Sequence, residues 1–121
     1  MPTLNLYGIP NCDRVKKARN WLEIHSIEYL FCDLKKIDIS KSLLHNWLTQ
    51  SSHEKLINRA GATWRGLDAD TKSNLIDEVA LIDLMQNKPS VIKRPILERD
   101  GKIIAVGFDM QLYDALFKVL V

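Results

Sequence analysis

The residues best suited to chemistry stand near the start of the chain, in Tyr7-Gly8-Ile9-Pro10-Asn11-Cys12-Asp13. A short apolar strand pattern, Leu4 and Leu6, runs into a Gly/Pro/Asn turn, and a lone cysteine follows where a helical pattern begins. Val15, Ala18 and Leu22 recur at i, i+3 and i+7, while Lys16, Lys17, Asn20 and Glu23 take the opposite face. Cys12 is therefore expected at or beside a helix N-terminus, where unpaired backbone N–H groups and the positive end of the helix dipole favour an anion. A thiolate is such an anion, and a cysteine so placed commonly has a depressed pKa and raised reactivity. Arg14, Lys16 and Lys17 add cations within two turns, partly opposed by Asp13. A free cysteine is also among the residues most often buried as small hydrophobes. Local features alone leave both readings open for Cys12.

The rest of the chain must position that loop. Its 121 residues suffice for one domain with a real core. Apolar content of 46% and charged content of 26% are those of an ordinary globular protein. A formal charge of +2 is too small and dispersed to argue nucleic-acid binding. Cysteines at 12 and 32 alone form neither a disulfide framework nor a zinc pattern. No stretch has the length of a membrane span or the layout of a secretion signal, so a cytoplasmic, reducing location is expected.

Residues 3–7 read as a strand and 12–25 as a helix ending near His25-Ser26; Ile27 to Leu34 reads as a second strand. Cys32 lies in that strand among aliphatic neighbours and is read as a packed hydrophobe. Strand, helix and strand in so few residues make a right-handed βαβ unit. From about 36 to 90 the pattern is helical. Ser40 and Ser52 are candidate caps, Gly61 suits a helix C′ position, and Thr63–Leu67 reads as a connector. Asp77 to Asn87 is the clearest helix, with Val79, Ile82 and Leu84-Met85 turned inward and Pro89 as its stop. Arg94 to Val106 reads as a hairpin turning at Asp100-Gly101, with Pro95 at the first strand position. Asp109 caps a last helix whose inner face would carry Leu112, Ala115, Leu116 and Val119. The order βαβ, helical insert, ββα is the connectivity of a thioredoxin-like α/β domain, here expected to occupy residues 1–121.

With Gly8-Ile9-Pro10-Asn11-Cys12-Asp13, then Val15-Lys16-Lys17-Ala18-Arg19, Thr63-Trp64-Arg65, Arg94-Pro95-Ile96-Leu97 and Val106-Gly107-Phe108 in view, the sequence resembles the ArsC/Spx family. Within it the likeness is to the YffB-like branch, and it spans nearly the whole chain in order. The resemblance implies a thioredoxin-like fold with a helical insert, Cys12 as nucleophile and Arg94 as the holder of an anionic substrate. It also implies that Pro95 is the cis-proline beside the active-site loop, where an extended substrate docks by strand-like pairing. Arsenate-reducing members carry a histidine near the start of the loop and further arginines around the oxyanion. Here the loop begins with Tyr7, Gly107 stands where the last arginine is expected, and Arg59 is the candidate for the middle one. Spx-type regulators often carry a Cys-x-x-Cys switch, and here Val15 replaces its second cysteine.

A single thiolate can attack a disulfide sulfur, but the resulting mixed disulfide needs a second thiol to resolve it. With none in the loop, that thiol must come from outside, and glutathione, abundant in the cytosol and anionic, is the natural co-substrate. Arg94 could pair one of its carboxylates in bidentate geometry, and Asn11 could position the thiolate or only serve the turn. His25, His45 and His53 have no metal-ligand spacing, and no bound cofactor is expected. The sequence thus points to a glutathione-dependent thiol reductase of arsenate reductase-like type. The alternatives are an Spx-like regulator that binds RNA polymerase and a true arsenate reductase.

Overall fold

The computed structural model describes residues 3–75 and 77–118. Its backbone divides into two compact units, Met1–Ile37 with Arg94–Val121, and Asp38–Lys93. The second unit corresponds to the insert expected over 36–90, shifted by two or three residues at each end.

The first unit is a four-stranded sheet with helices. Strand β1 (Leu4–Gly8) leads into α1 (Asp13–Ile24), which returns to β2 (Leu30–Asp33); β3 (Ile96–Arg99) and β4 (Lys102–Val106) close the sheet. The strand order is β2-β1-β3-β4. β1 pairs parallel with β2, Tyr7 opposite Cys32, and antiparallel with β3, Tyr7 opposite Ile96. This is the thioredoxin-like arrangement.

Alternation along the strands divides the sheet into two chemically different faces. Leu4, Leu6 and Leu97 share a core with Ala18, Trp21 and Leu22 of α1 and with Tyr113 of the last helix. Trp21 meets the Tyr113 ring edge-on at 5.4 Å, and its indole N–H donates to Asp114 Oδ1 at 3.1 Å. Asn5, Tyr7 and Glu98 point the other way.

Local signals account for the element ends. α1 stops in a Schellman motif: Ser26 takes a left-handed conformation (φ 56°), its N–H bonds to Glu23 O at 3.1 Å, and the Ile27 N–H bonds to Leu22 O at 2.9 Å. The β3–β4 turn places Asp100 at φ 50° and Gly101 at φ 82°, the two positive angles of a type I′ turn.

The other unit holds α2 (Lys41–Gln50), three short helices, α3 (His53–Leu56), α4 (Ala62–Arg65) and α5 (Ala69–Ser73), then α6 (Glu78–Asn87). Ser40 Oγ accepts from the Leu43 N–H at 3.0 Å, the cap expected for α2, and Asp77 Oδ1 accepts from the Ala80 N–H at 2.9 Å, capping α6. α2 packs against α6, and Gln86 Nε2 donates to Ile39 O at 2.8 Å.

Several expectations are corrected. β2 is shorter than Ile27–Leu34, because the Schellman bonds hold Ile27 at the end of α1. Gly61 precedes α4 at φ −76° and caps its start; the stretch read as a connector from Thr63 holds the last three residues of that helix, Thr63 to Arg65. Val79 is 77% exposed, because the buried arc of α6 is Leu81, Ile82, Leu84 and Met85, on the other side of the helix. In α7 (Met110–Phe117) Tyr113 is the fully buried residue and Leu116 packs against the same core as expected, while Leu112 is 39% exposed and Ala115 faces solvent. Here the aromatic side chain spans to Trp21 and Phe108, which short aliphatic residues could not. Val119 lies outside the described residues.

Candidate active site

Cys12 is the N-cap of α1, with extended backbone (φ −145°, ψ 126°), and its carbonyl accepts the first helical bond, from Lys16 N at 2.9 Å. The neutral thiol makes no capping hydrogen bond. A charge on sulfur is a different matter. Burial pushes the thiol pKa up, but the Val15 N–H, the hydrogen bond and charge of Arg94, and the Arg14 N–H together outweigh it and leave Cys12 below the ordinary thiol range. Two of those donors belong to the first turn of α1, so the helix terminus itself favours the thiolate.

Two features bring that terminus and Arg94 together. Gly8 lies so close to α1 that a Cβ there would sit 2.7 Å from Val15 Cγ2, and glycine alone lets the helix start this near the strand. Tyr7 pairs with Ile96, so the loop leaving β1 and the segment entering β3 meet at the same end of the sheet. Arg94 is half-buried and precedes a cis peptide bond to buried Pro95. The Pro95 carbonyl accepts from Gly107 N at 2.7 Å.

The remaining candidates separate. Asn11 is exposed in the turn before Cys12. Arg59 belongs to the helical unit, where its guanidinium lies 5.3 Å from the Trp64 ring centroid and its Nη2 3.3 Å from His53 Nδ1. Cys32 is half-buried on β2; burial, then the charge of Glu98, raises its pKa, the reverse of Cys12. No three metal-ligating side chains converge among the described residues, and no helix there is long and apolar enough to cross a membrane.

Sequence reasoning missed a buried polar group in the strands that carry this site. Glu98 is 3% exposed, on the sheet face opposite the apolar core. Asn5 Nδ2 donates to its Oε1 at 3.2 Å, and the Tyr7 hydroxyl reaches the same oxygen at a long 3.5 Å. Burial, with Glu98 second, raises the Tyr7 phenol well above its ordinary value, so it stays protonated. The sequence did carry a signal: a carboxylate at the third position of the apolar run Ile96-Leu97-Glu98, in phase with Asn5 and Tyr7 once the strands pair.

Comparison with known proteins identifies what the chain is similar to. Residues 7–116 match the pattern described as the ArsC family. A solved YffB protein superposes with a TM-score of 0.86 at 44% identity, covering 93% of this chain and 97% of that one. An arsenate reductase (ArsC) related protein from Brucella melitensis is 47% identical, with a TM-score of 0.75 over 97% of this chain and 96% of that one. The global transcriptional regulator Spx of Lactiplantibacillus plantarum is 32% identical over 108 residues, 86% of this chain and 78% of that protein.

Proposed function

The chain belongs to the ArsC family, and we propose that within it the protein is a glutathione-dependent thiol–disulfide reductase of the cytoplasm. The observation that carries this reading is the single low-pKa cysteine at the N-cap of α1, hydrogen-bonded by Arg94, with Val15 where a resolving cysteine would stand.

The chemistry follows from one thiol. The Cys12 thiolate attacks the glutathione-side sulfur of a mixed disulfide R–S–S–G. A new S–S bond joins Cys12 to the glutathione sulfur, the S–S bond of R–S–S–G breaks, and RS⁻ leaves to take up a proton. A second glutathione, as thiolate, attacks the glutathione sulfur on Cys12. Oxidised glutathione is released and the Cys12 thiolate returns. The substrate disulfide gains two electrons and two glutathione moieties lose them. Arg94 serves twice in this scheme, lowering the Cys12 pKa and pairing a glutathione carboxylate. Asn11 lines the same turn, and the edge at Pro95 offers backbone to an extended substrate.

Peptide-mapped mass spectrometry after brief exposure to oxidised glutathione near neutral pH tests the reading, with Cys12→Ser and Cys32→Ser run alongside. A rapid adduct on Cys12 alone, removed by free glutathione, supports it. An adduct forming no faster than on an ordinary peptide thiol overturns it.

The 32% identity to Spx favours one other reading, a regulator that binds RNA polymerase. Binding retained by Cys12→Ser, together with an unreactive Cys12, would select it. True arsenate reduction needs an oxyanion site with more cations than Arg94; Arg59, the candidate for a second one, holds Trp64 and His53 in the helical unit.

A further inference from the structure

A buried carboxylate is costly unless its lone pairs are satisfied, and an apolar residue at the same place would pack without that cost. Glu98 is nevertheless almost fully buried in the β1–β3 ladder, two pairs along from the Tyr7–Ile96 end where the catalytic elements meet. It stands opposite Asn5 across the β1–β3 ladder and reaches Tyr7 diagonally, so one carboxylate oxygen receives both β1 side chains. Cys12 follows Tyr7 by one short loop. Arg94 precedes Ile96, the partner of Tyr7, by two residues. The ladder between β3 and β4 is irregular at Leu97/Glu98, so backbone pairing on that side is interrupted where the carboxylate sits.

We infer that Asn5, Tyr7 and Glu98 form a positioning network that fixes β1 against β3 and thereby holds Arg94 on the Cys12 sulfur. The inference rests on Cys12 being the reactive thiol, and it deepens that reading by adding residues that act through Arg94 without touching substrate. Buried polar networks of this kind are best attested as devices that specify register. Cross-strand pairs on one face are the unit through which a sheet fixes its alignment.

The sign of the effect makes the network testable. Removing the charge of Glu98 by a field effect alone would lower the Cys12 pKa, since a nearby negative charge opposes thiolate formation. Loosening Arg94 raises it. The groups that face Glu98 include Asn5 and Tyr7 from β1 and Cys32 from β2; those that act on Cys12 include Arg94 and the first turn of α1.

The measurement is the rate of Cys12 alkylation by iodoacetamide against pH, in the full chain carrying Cys32→Ser, which uses no glutathione and so stands apart from the choice of co-substrate. Glu98→Gln is expected to move the midpoint upward by about half a unit, lowering the thiolate fraction at neutral pH by at most about threefold. In an Arg94→Ala background the same substitution should add nothing, because the network acts through that side chain. An unchanged or lowered midpoint, or an equal upward shift without Arg94, overturns the inference. Should Glu98→Gln fail to fold, Tyr7→Phe removes only the phenol donor, and the same two outcomes apply to it.

Discussion

Arg94 donates a hydrogen bond to the Cys12 sulfur although the two residues stand near opposite ends of the chain. The pairing Tyr7–Ile96 between β1 and β3 brings them together. The thiol loop and its cation are thus one unit of structure. Arg94→Ala removes both a hydrogen bond and a charge from the thiolate, leaving the helix N–H groups and the opposing effect of burial. The Cys12 midpoint, read by alkylation against pH, should rise by about one unit, and the reaction at neutral pH should slow by up to about tenfold. Arg94→Lys should recover part of the charge effect but not a bidentate grip on a carboxylate, so its glutathione KM should stay raised. An unmoved midpoint in Arg94→Ala would refute the assigned contact.

Cys32 should behave as the opposite of Cys12. Burial and the neighbouring Glu98 hold it above the ordinary thiol value, so it remains a thiol across the neutral range. Its alkylation rate should rise only at higher pH, with a midpoint above that of a free cysteine peptide. Cys32→Ser should leave glutathione turnover unchanged within about twofold, since a protonated thiol is a poor nucleophile. A Cys12–Cys32 disulfide recovered after oxidation would contradict the monothiol scheme.

The sequence made some of these features legible and hid others for identifiable reasons. Cys12 could be placed at a helix start because Pro10-Asn11 ends a strand and Val15, Ala18 and Leu22 begin a 3.6-residue period. The hairpin was legible in Asp100-Gly101, whose positive φ values few other pairs adopt cheaply. Glu98 was hidden because burial of a carboxylate depends on which strands lie either side, a long-range property that no local window contains. Val79 was misplaced for a related reason: Asp77 fixed where α6 begins, but the buried arc was chosen by packing of the second unit. The short helix over Ala62–Arg65 looked like a connector because one turn carries too little periodicity to register.

Tyr113 allows a stability test independent of the chemistry. Its ring is fully buried between Trp21 and Phe108, yet its hydroxyl finds no hydrogen-bond partner among the described residues. A buried, unsatisfied hydroxyl costs on the order of 1–3 kcal/mol. Tyr113→Phe keeps the ring and removes that cost, so it should leave stability unchanged or raise it by about 1 kcal/mol in urea denaturation. Tyr113→Ala should lower it by about 3–5 kcal/mol, through the cavity left in the aromatic cluster. A marked loss in Tyr113→Phe would mean that the hydroxyl has a partner in the folded protein.

Gly8 couples fold to site most directly. A methyl group there would meet Val15 Cγ2 at 2.7 Å, closer than real carbon contacts allow, so α1 must shift away from β1 or Val15 must move. Overpacking of this kind costs about 1–3 kcal/mol. The shift also moves the Val15 N–H, one of the groups that hold the Cys12 thiolate. Gly8→Ala should therefore show two effects together, a lower urea midpoint and an alkylation midpoint for Cys12 displaced toward higher pH. Adding Val15→Ala opens the space the new methyl needs. That double variant should return the thiol midpoint toward the parent value, even though Val15→Ala alone costs stability by deleting buried methyl groups. If Gly8→Ala lowers stability and the Cys12 midpoint stays fixed, the first turn of α1 does not set the thiol, and Arg94 alone must account for its low pKa.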